Sequence, residues 1–190
     1  MKISVINQIQ NLFDRYGGKN YGESCSQLTH SVSSAWRAQQ DGAERNLIIA
    51  AFLHDIGHFI AEYQQISGVD EYGHQQHADI GANWLAERGI PANVYQPIRY
   101  HVLAKRYLMT KSNENDLSKA SYFTFMQQGG LLSPIEQHNF EHNKYFHQAL
   151  NLRKYDDLGK PFTSTFLTTM PLTTKPWFVL IEQVLAEKNT

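Results

Sequence analysis

The stretch from Leu47 to Phe59 constrains this chain more than any other. Leu47, Ile48, Ile49, Ala50, Ala51, Phe52, Leu53, Ile56 and Phe59 make it apolar on nearly every face of a helix, and such a helix belongs in the middle of a core. Into this buried helix the sequence sets His54, Asp55 and His58. Ionisable groups so placed cost several kcal/mol unless they are paired or coordinate a metal, so the segment demands partners from elsewhere in the chain.

Those partners are to be sought on other helices. Ile3, Ile6, Ile9 and Phe13 recur near helical spacing. After a break from Gly17 to Glu23, Ser24 or Ser26 can cap a second helix through Leu28, Val32, Ala35 and Trp36, ended by Asp41 and Gly42. Residues 64 to 73 read as an exposed loop, followed by a helix from about Gln75 to Arg88 that Gly89 stops. Pro91 suits the first turn of the next helix, and Pro97 is expected to kink or restart it before His101. Beyond the polar break Asn113 to Asp116, short helical pieces fall around Ala120 to Met126, Pro134 to Phe140 and Lys144 to Tyr155. A threonine- and proline-rich extended stretch then leads to a last helix from Trp177 to Ala186. Nothing alternates cleanly enough for a sheet, so an all-α fold is expected. The 190 residues, 42% hydrophobic, suit one domain, with a core over about 21–160 and an extension, 161–190, that packs on or beside it.

Several function classes are disfavoured. The 17 basic and 18 acidic residues form no long block of one sign, so neither nucleic acid nor an anionic membrane is an evident partner. The amphipathic start does not read as a signal peptide, and no apolar run is long enough to cross a bilayer. Cys25 is the single cysteine, which excludes an internal disulfide framework and fits a reducing, cytoplasmic setting.

Histidine is the compositional oddity, with nine. His30, His54-Asp55, His77, His101 and Asp156 form an ordered series on separate expected helices, as in metal sites built between facing helices of an α-bundle. Adjacent residues on a helix diverge by about one hundred degrees, so His54 and Asp55 cannot serve one distant ion together. They can flank a pair of ions, with the Asp55 carboxylate bridging. His74 competes with His77, since both lie near the start of one helix. His138, His142 and His147 read as an exposed polar face, and Trp36, Trp84, Phe52 and Phe59 as core rather than as an aromatic box.

The stretches YGESCSQLTHS, AAFLHDIGH, HADIGANWL, RYHVLAKRYL, LSKASYFTFMQQGG and LRKYDDLGK together resemble the HD-domain superfamily. More narrowly they resemble its oxygenase branch, which holds the dioxygenases of 1-hydroxyphosphonates such as 2-amino-1-hydroxyethylphosphonate and, more distantly, myo-inositol oxygenase. The likeness runs from about Tyr21 to Lys160, and the QGG and YDD elements favour the phosphonate enzymes. It implies an HD-type helical bundle with a mixed-valent Fe(II)/Fe(III) pair. His30, His54 and Asp156 would hold one iron, His77 and His101 the other, and Asp55 would bridge. The HxxxGA spacing from His77 to Gly81 and Ala82 decides for His77, leaving His74 exposed.

The same resemblance implies an organophosphonate substrate, with O2 as co-substrate and C–P cleavage to a carboxylic acid and phosphate. Lys105, one turn after His101, and Arg153, nearly one turn before Asp156, would clamp the phosphonate. His58 would bond it from the same pocket, and Ser121 and Gln128 occupy matching positions. Glu23 looks like the glutamate that covers the iron and then meets the substrate amine. Tyr21 stands two residues before it, where the family's tyrosine stands three before, a position held here by Asn20. Two further readings accompany the oxygenase: an HD phosphohydrolase whose metals activate water against a phosphate ester, and a regulatory HD module that binds without turnover. Monomer and homodimer are both compatible with the sequence.

Overall fold

In the computed structural model of the chain, residues 4–112, 119–160 and 170–187 are described. The whole polar break at 113–116 and most of the threonine-rich stretch, 161–169, lie outside them. The described residues form ten helices: α1 (Val5–Tyr16), α2 (Gln27–Gln40), α3 (Arg45–Leu53), α4 (Ile56–Tyr63), α5 (His77–Glu87), α6 (Ala92–Lys111), α7 (Lys119–Gln127), α8 (Pro134–Glu141), α9 (Phe146–Leu158) and α10 (Lys175–Glu187). Between α4 and α5 lies a small antiparallel hairpin, β1 (Val69–Asp70) and β2 (Gly73–His74), with Val69 opposite His74. The all-α expectation holds, and this hairpin corrects the reading of residues 64–73 as plain loop.

The centre of the fold is α3, every residue of which from Leu47 to Leu53 is buried. It is flanked by α2, α6, α9 and α10. Phe52 stacks on Phe13 of α1 with ring centroids 4.7 Å apart and meets Phe178 of α10 edge-on at 5.7 Å, so the aromatic residues fill the core. Burying side chains of this size contributes roughly 1.5–3 kcal/mol each, and α10 joins the same core through Trp177, Phe178, Ile181 and Val184. Ser4 caps α1 and Ser26 caps α2, each accepting a backbone N–H three residues on. Ser133 and Glu136 close a reciprocal capping box on α8.

One helical expectation is corrected. The apolar helix is not continuous: α3 ends at Leu53 and α4 begins at Ile56, with Asp55 at φ −98°, ψ 5° between them, in the sparsely populated region between helix and strand. Just beyond the break α4 crosses α5 closely, and a Cβ on Gly57 would lie 1.9 Å from the carbonyl oxygen of His77. By contrast, α6 runs through Pro97 as one element, and Pro91 precedes its first turn.

Candidate metal centre and pocket

Each ligand candidate comes from a different wall of the bundle: His30 from α2, His54 and Asp55 from the α3–α4 break, His77 from the first residue of α5, His101 from α6 and Asp156 from the last turn of α9. The structure brings all six together in two buried groups, His30, His54 and Asp156, and Asp55, His77 and His101. In the first, His30 Nε2 lies 3.1 Å from His54 Nε2 and 3.1 Å from an Asp156 oxygen. In the second, His77 Nε2 and His101 Nε2 are 3.1 Å apart. Asp55 stands between the groups. Its Oδ2 is 3.4 Å from His54 and 3.7 Å from His30, and its Oδ1 is 3.5 Å from His77 and 3.9 Å from His101.

These donors fit metal ions. The Nδ1 atoms of His54, His77 and His101 each face the carbonyl oxygen of the residue three positions earlier, Ala51, His74 and Ile98, at 2.9, 3.0 and 2.6 Å. A ring that donates through Nδ1–H turns the lone pair of Nε2 inward, as metal-bound histidines do. The facing Nε2 lone pairs of His77 and His101, 3.1 Å apart, repel one another unless a cation lies between them. Donors each about 2.1 Å from a shared ion at right angles stand roughly 3 Å apart, close to the separations found.

The electrostatics agree. Burial works against charge on His54, yet Asp55 and Asp156 outweigh it and hold its pKa up at about 9. His101 is pushed down to about 3 by burial and by the neighbouring His77 and His54 rings. Burial alone would raise Asp156, but the Arg153 guanidinium, with His30 and His54, keeps it well below the usual carboxylate range. Asp55 is likewise held low against its burial by the surrounding histidines.

The two groups open onto a cavity of about 60 Å3, room for roughly four to six waters at 10–15 Å3 each, so a small polar molecule fits. Glu23, His58, Lys105, Ser121, Gln128 and Arg153 all line it, as does Tyr21. Lys105 is buried, and its ammonium donates to Thr124 Oγ1 at 3.1 Å; burial and the nearby Arg153 lower its pKa to about 7. Arg153 directs its guanidinium to Asp156 Oδ2 at 2.6 Å and to both oxygens of Asp157, so its donors first hold a ligand carboxylate. Tyr21 packs its ring at a tilt against His58, centroids 4.7 Å apart, but gives its hydroxyl to Glu62 at 2.8 Å rather than to Glu23.

Three residues here were missed from the sequence. Lys160 donates to Glu23 at 2.8 Å and to Ser121 at 2.5 Å, adding a third cation to the pocket; its place in the LRKYDDLGK stretch, one turn after Asp156, was the available signal. Gln27, one turn before His30, is buried, lines the cavity and has an Oε1 without a hydrogen-bond partner among the described residues. His74, expected to be exposed, is 7% exposed and lies against His58. His138, His142 and His147 lie on the surface.

The HD domain model matches residues 27–126, which include five of the six ligand candidates. Over 161 residues the chain is 39% identical to an uncharacterised protein of Acanthamoeba polyphaga mimivirus, covering 83% of this chain and 74% of the other. It is 36% identical over 160 residues to the [1-hydroxy-2-(trimethylamino)ethyl]phosphonate dioxygenase (glycine-betaine-forming) of Leisingera caerulea, covering 83% and 81%. It is 38% identical over 162 residues to the hydroxymethylphosphonate dioxygenase of Gimesia maris, covering 82% and 78%. No helix among the described residues is long and apolar enough to cross a membrane.

Proposed function

The chain belongs to the HD-domain family, in the branch of its phosphonate-dioxygenase relatives, and on that premise we propose that it uses O2 to cleave the C–P bond of a 1-hydroxyalkylphosphonate. The products are a carboxylate and phosphate. The observation that carries this reading is the pair of two-histidine, one-carboxylate groups facing a cavity lined by cations. That donor set, with positions left open, suits non-haem iron. Two iron ions held by His30, His54 and Asp156 on one side and by His77 and His101 on the other, with Asp55 between them, would supply the O2 chemistry.

The chain's own residues bind and orient the substrate. Lys105, Lys160 and Arg153 provide positive charge for the phosphonate, and a charge-assisted bond of this kind contributes about 1.5–3 kcal/mol. His58 accepts the backbone N–H of His74 on Nδ1 at 2.9 Å, and burial, with the neighbouring His77, keeps the ring neutral. Its proton therefore sits on Nε2, on the pocket side, as a donor to a phosphonate oxygen. Ser121 and Gln128 add polar contacts. Glu23, bonded to Lys160 and Ser121, faces the substituent on the hydroxyl-bearing carbon, the feature by which the two named relatives' substrates differ.

The test is to incubate iron-loaded protein with hydroxymethylphosphonate, 2-amino-1-hydroxyethylphosphonate and its trimethylated relative, with and without O2. Phosphate and carboxylate are then measured. Phosphate in equal amount with carboxylate, and only with O2, is expected for at least one of the three. Phosphate release from these phosphonates that ignores O2 would overturn the oxygenase reading, whereas a phosphohydrolase would release none from them and would act on a phosphate ester instead.

A further inference from the structure

The Nδ1 contacts of the metal-facing histidines are not equally supported. For His54 and His101 the accepting carbonyl lies within the preceding helical turn of α3 or α6, where the helix fixes it. His77 is the first residue of α5, and its accepting carbonyl belongs to His74, outside the helix in the two-residue strand β2. Its orientation therefore depends on whatever holds the hairpin.

That hold is the imidazole of His74. Its Nδ1 accepts the backbone N–H of Gln76 at 3.0 Å, which leaves the proton on Nε2, and Nε2 lies 3.1 Å from the carbonyl oxygen of Ser67. One ring thus ties the start of α5 to the turn before the hairpin. The main chain of the same residue then serves two site histidines: its N–H donates to His58 Nδ1 at 2.9 Å, and its C=O faces His77 Nδ1 at 3.0 Å. The two rings stack at 4.0 Å. Gly73, at φ +88°, lets the hairpin come this close, since a Cβ there would meet His58 Nδ1 at 2.2 Å.

We propose that His74 is a positioning residue: by locking the hairpin through its side chain, it fixes which nitrogen of His77 faces the metal and which nitrogen of His58 faces the substrate. Partners of this kind typically change metal affinity by about 10–100-fold. The effect should be confined to the Asp55, His77 and His101 group, because His74 touches neither His30 nor Asp156. The inference rests on the two groups binding metal, not on what the metals do with O2, so it stands or falls apart from the reaction.

The experiment is a titration of the full chain with Mn2+, counting ions per chain and their affinities, for the wild type, His74→Ala and His74→Asn. Asparagine can still accept the N–H two residues on but cannot reach Ser67. Expected are two ions in the wild type, and in His74→Ala one ion held as before with the second weakened by about tenfold or more; His74→Asn should fall between. Equal weakening of both ions, in step with a fall in melting temperature, or no weakening at all, would overturn the proposal. Should His74→Ala fail to fold, long-range 1H–15N spectra of the metal-free wild type decide. His74 and His58 are expected with the proton on Nε2 and His77 with it on Nδ1, and the opposite form at His58 or His77 would refute the assignment.

Discussion

Gly57 and His77 touch backbone to backbone, and a methyl group on Gly57 would lie 1.9 Å from the carbonyl oxygen of His77 and 2.7 Å from its carbonyl carbon. No flexible side-chain end is there to give way. The contact lies in the first turn of α4, two residues after Asp55, and seats the start of α5 against it. Gly57→Ala is therefore expected to lower stability by about 1–3 kcal/mol or more and to weaken metal binding at the His77 and His101 group. Thermal unfolding and metal content check it; an unchanged melting temperature would show that α5 can move away without cost.

Asp55 and Lys105 should separate metal binding from substrate binding. Among the described residues Asp55 is the carboxylate that faces both groups, so Asp55→Ala is expected to abolish tight binding of both ions. Lys105→Ala removes a buried cation from the cavity wall and should leave the metals in place. It should raise KM by roughly ten- to a hundredfold, the worth of one charge-assisted hydrogen bond. Metal analysis of both variants, with steady-state kinetics of the second, decides. Full metal content in Asp55→Ala would contradict the bridging role.

Metal binding should release a proton from His54. With its folded-state pKa at about 9, that ring carries a proton at neutral pH which the ion must displace. Metal binding to the folded chain makes the folded-state value the one that sets the window. Apparent affinity at the His30, His54 and Asp156 group should rise by up to about tenfold per pH unit as pH climbs toward about 9, and level off above it. Mn2+ titrations at about pH 6.5, 7.5 and 8.5 check the sign; affinity that is flat across this range would show that His54 is already neutral there.

The sequence made some of this legible and left the rest to packing. The convergence of the candidate ligands could be read because buried charge in an apolar helix needs partners, and His30, His77, His101 and Asp156 sit on elements with clear periodicity and stops. The break at His54 and Asp55 could not, because the stretch is apolar on both sides of it, and a lone glycine in a helical pattern does not say that it lies against the backbone of His77. His74 read as exposed because its neighbours are polar and loop-like; its burial comes from bonds to Ser67, Gln76 and His58, two of which span seven and sixteen residues. Tyr21 turned out to serve Glu62 of α4 rather than Glu23, and its backbone φ of +43° sets a direction that no spacing rule would give. Lys160 lies beside a motif that was read, but its use depends on where α9 ends relative to Glu23 and Ser121.

Anomalous diffraction from crystals grown with iron or manganese bears most directly on the paired centre. The expected result is two neighbouring peaks, one ligated by His30, His54 and Asp156 and the other by His77 and His101, each touching a different oxygen of Asp55. A single peak, or two ions with Asp55 bound to neither or to only one, would contradict it.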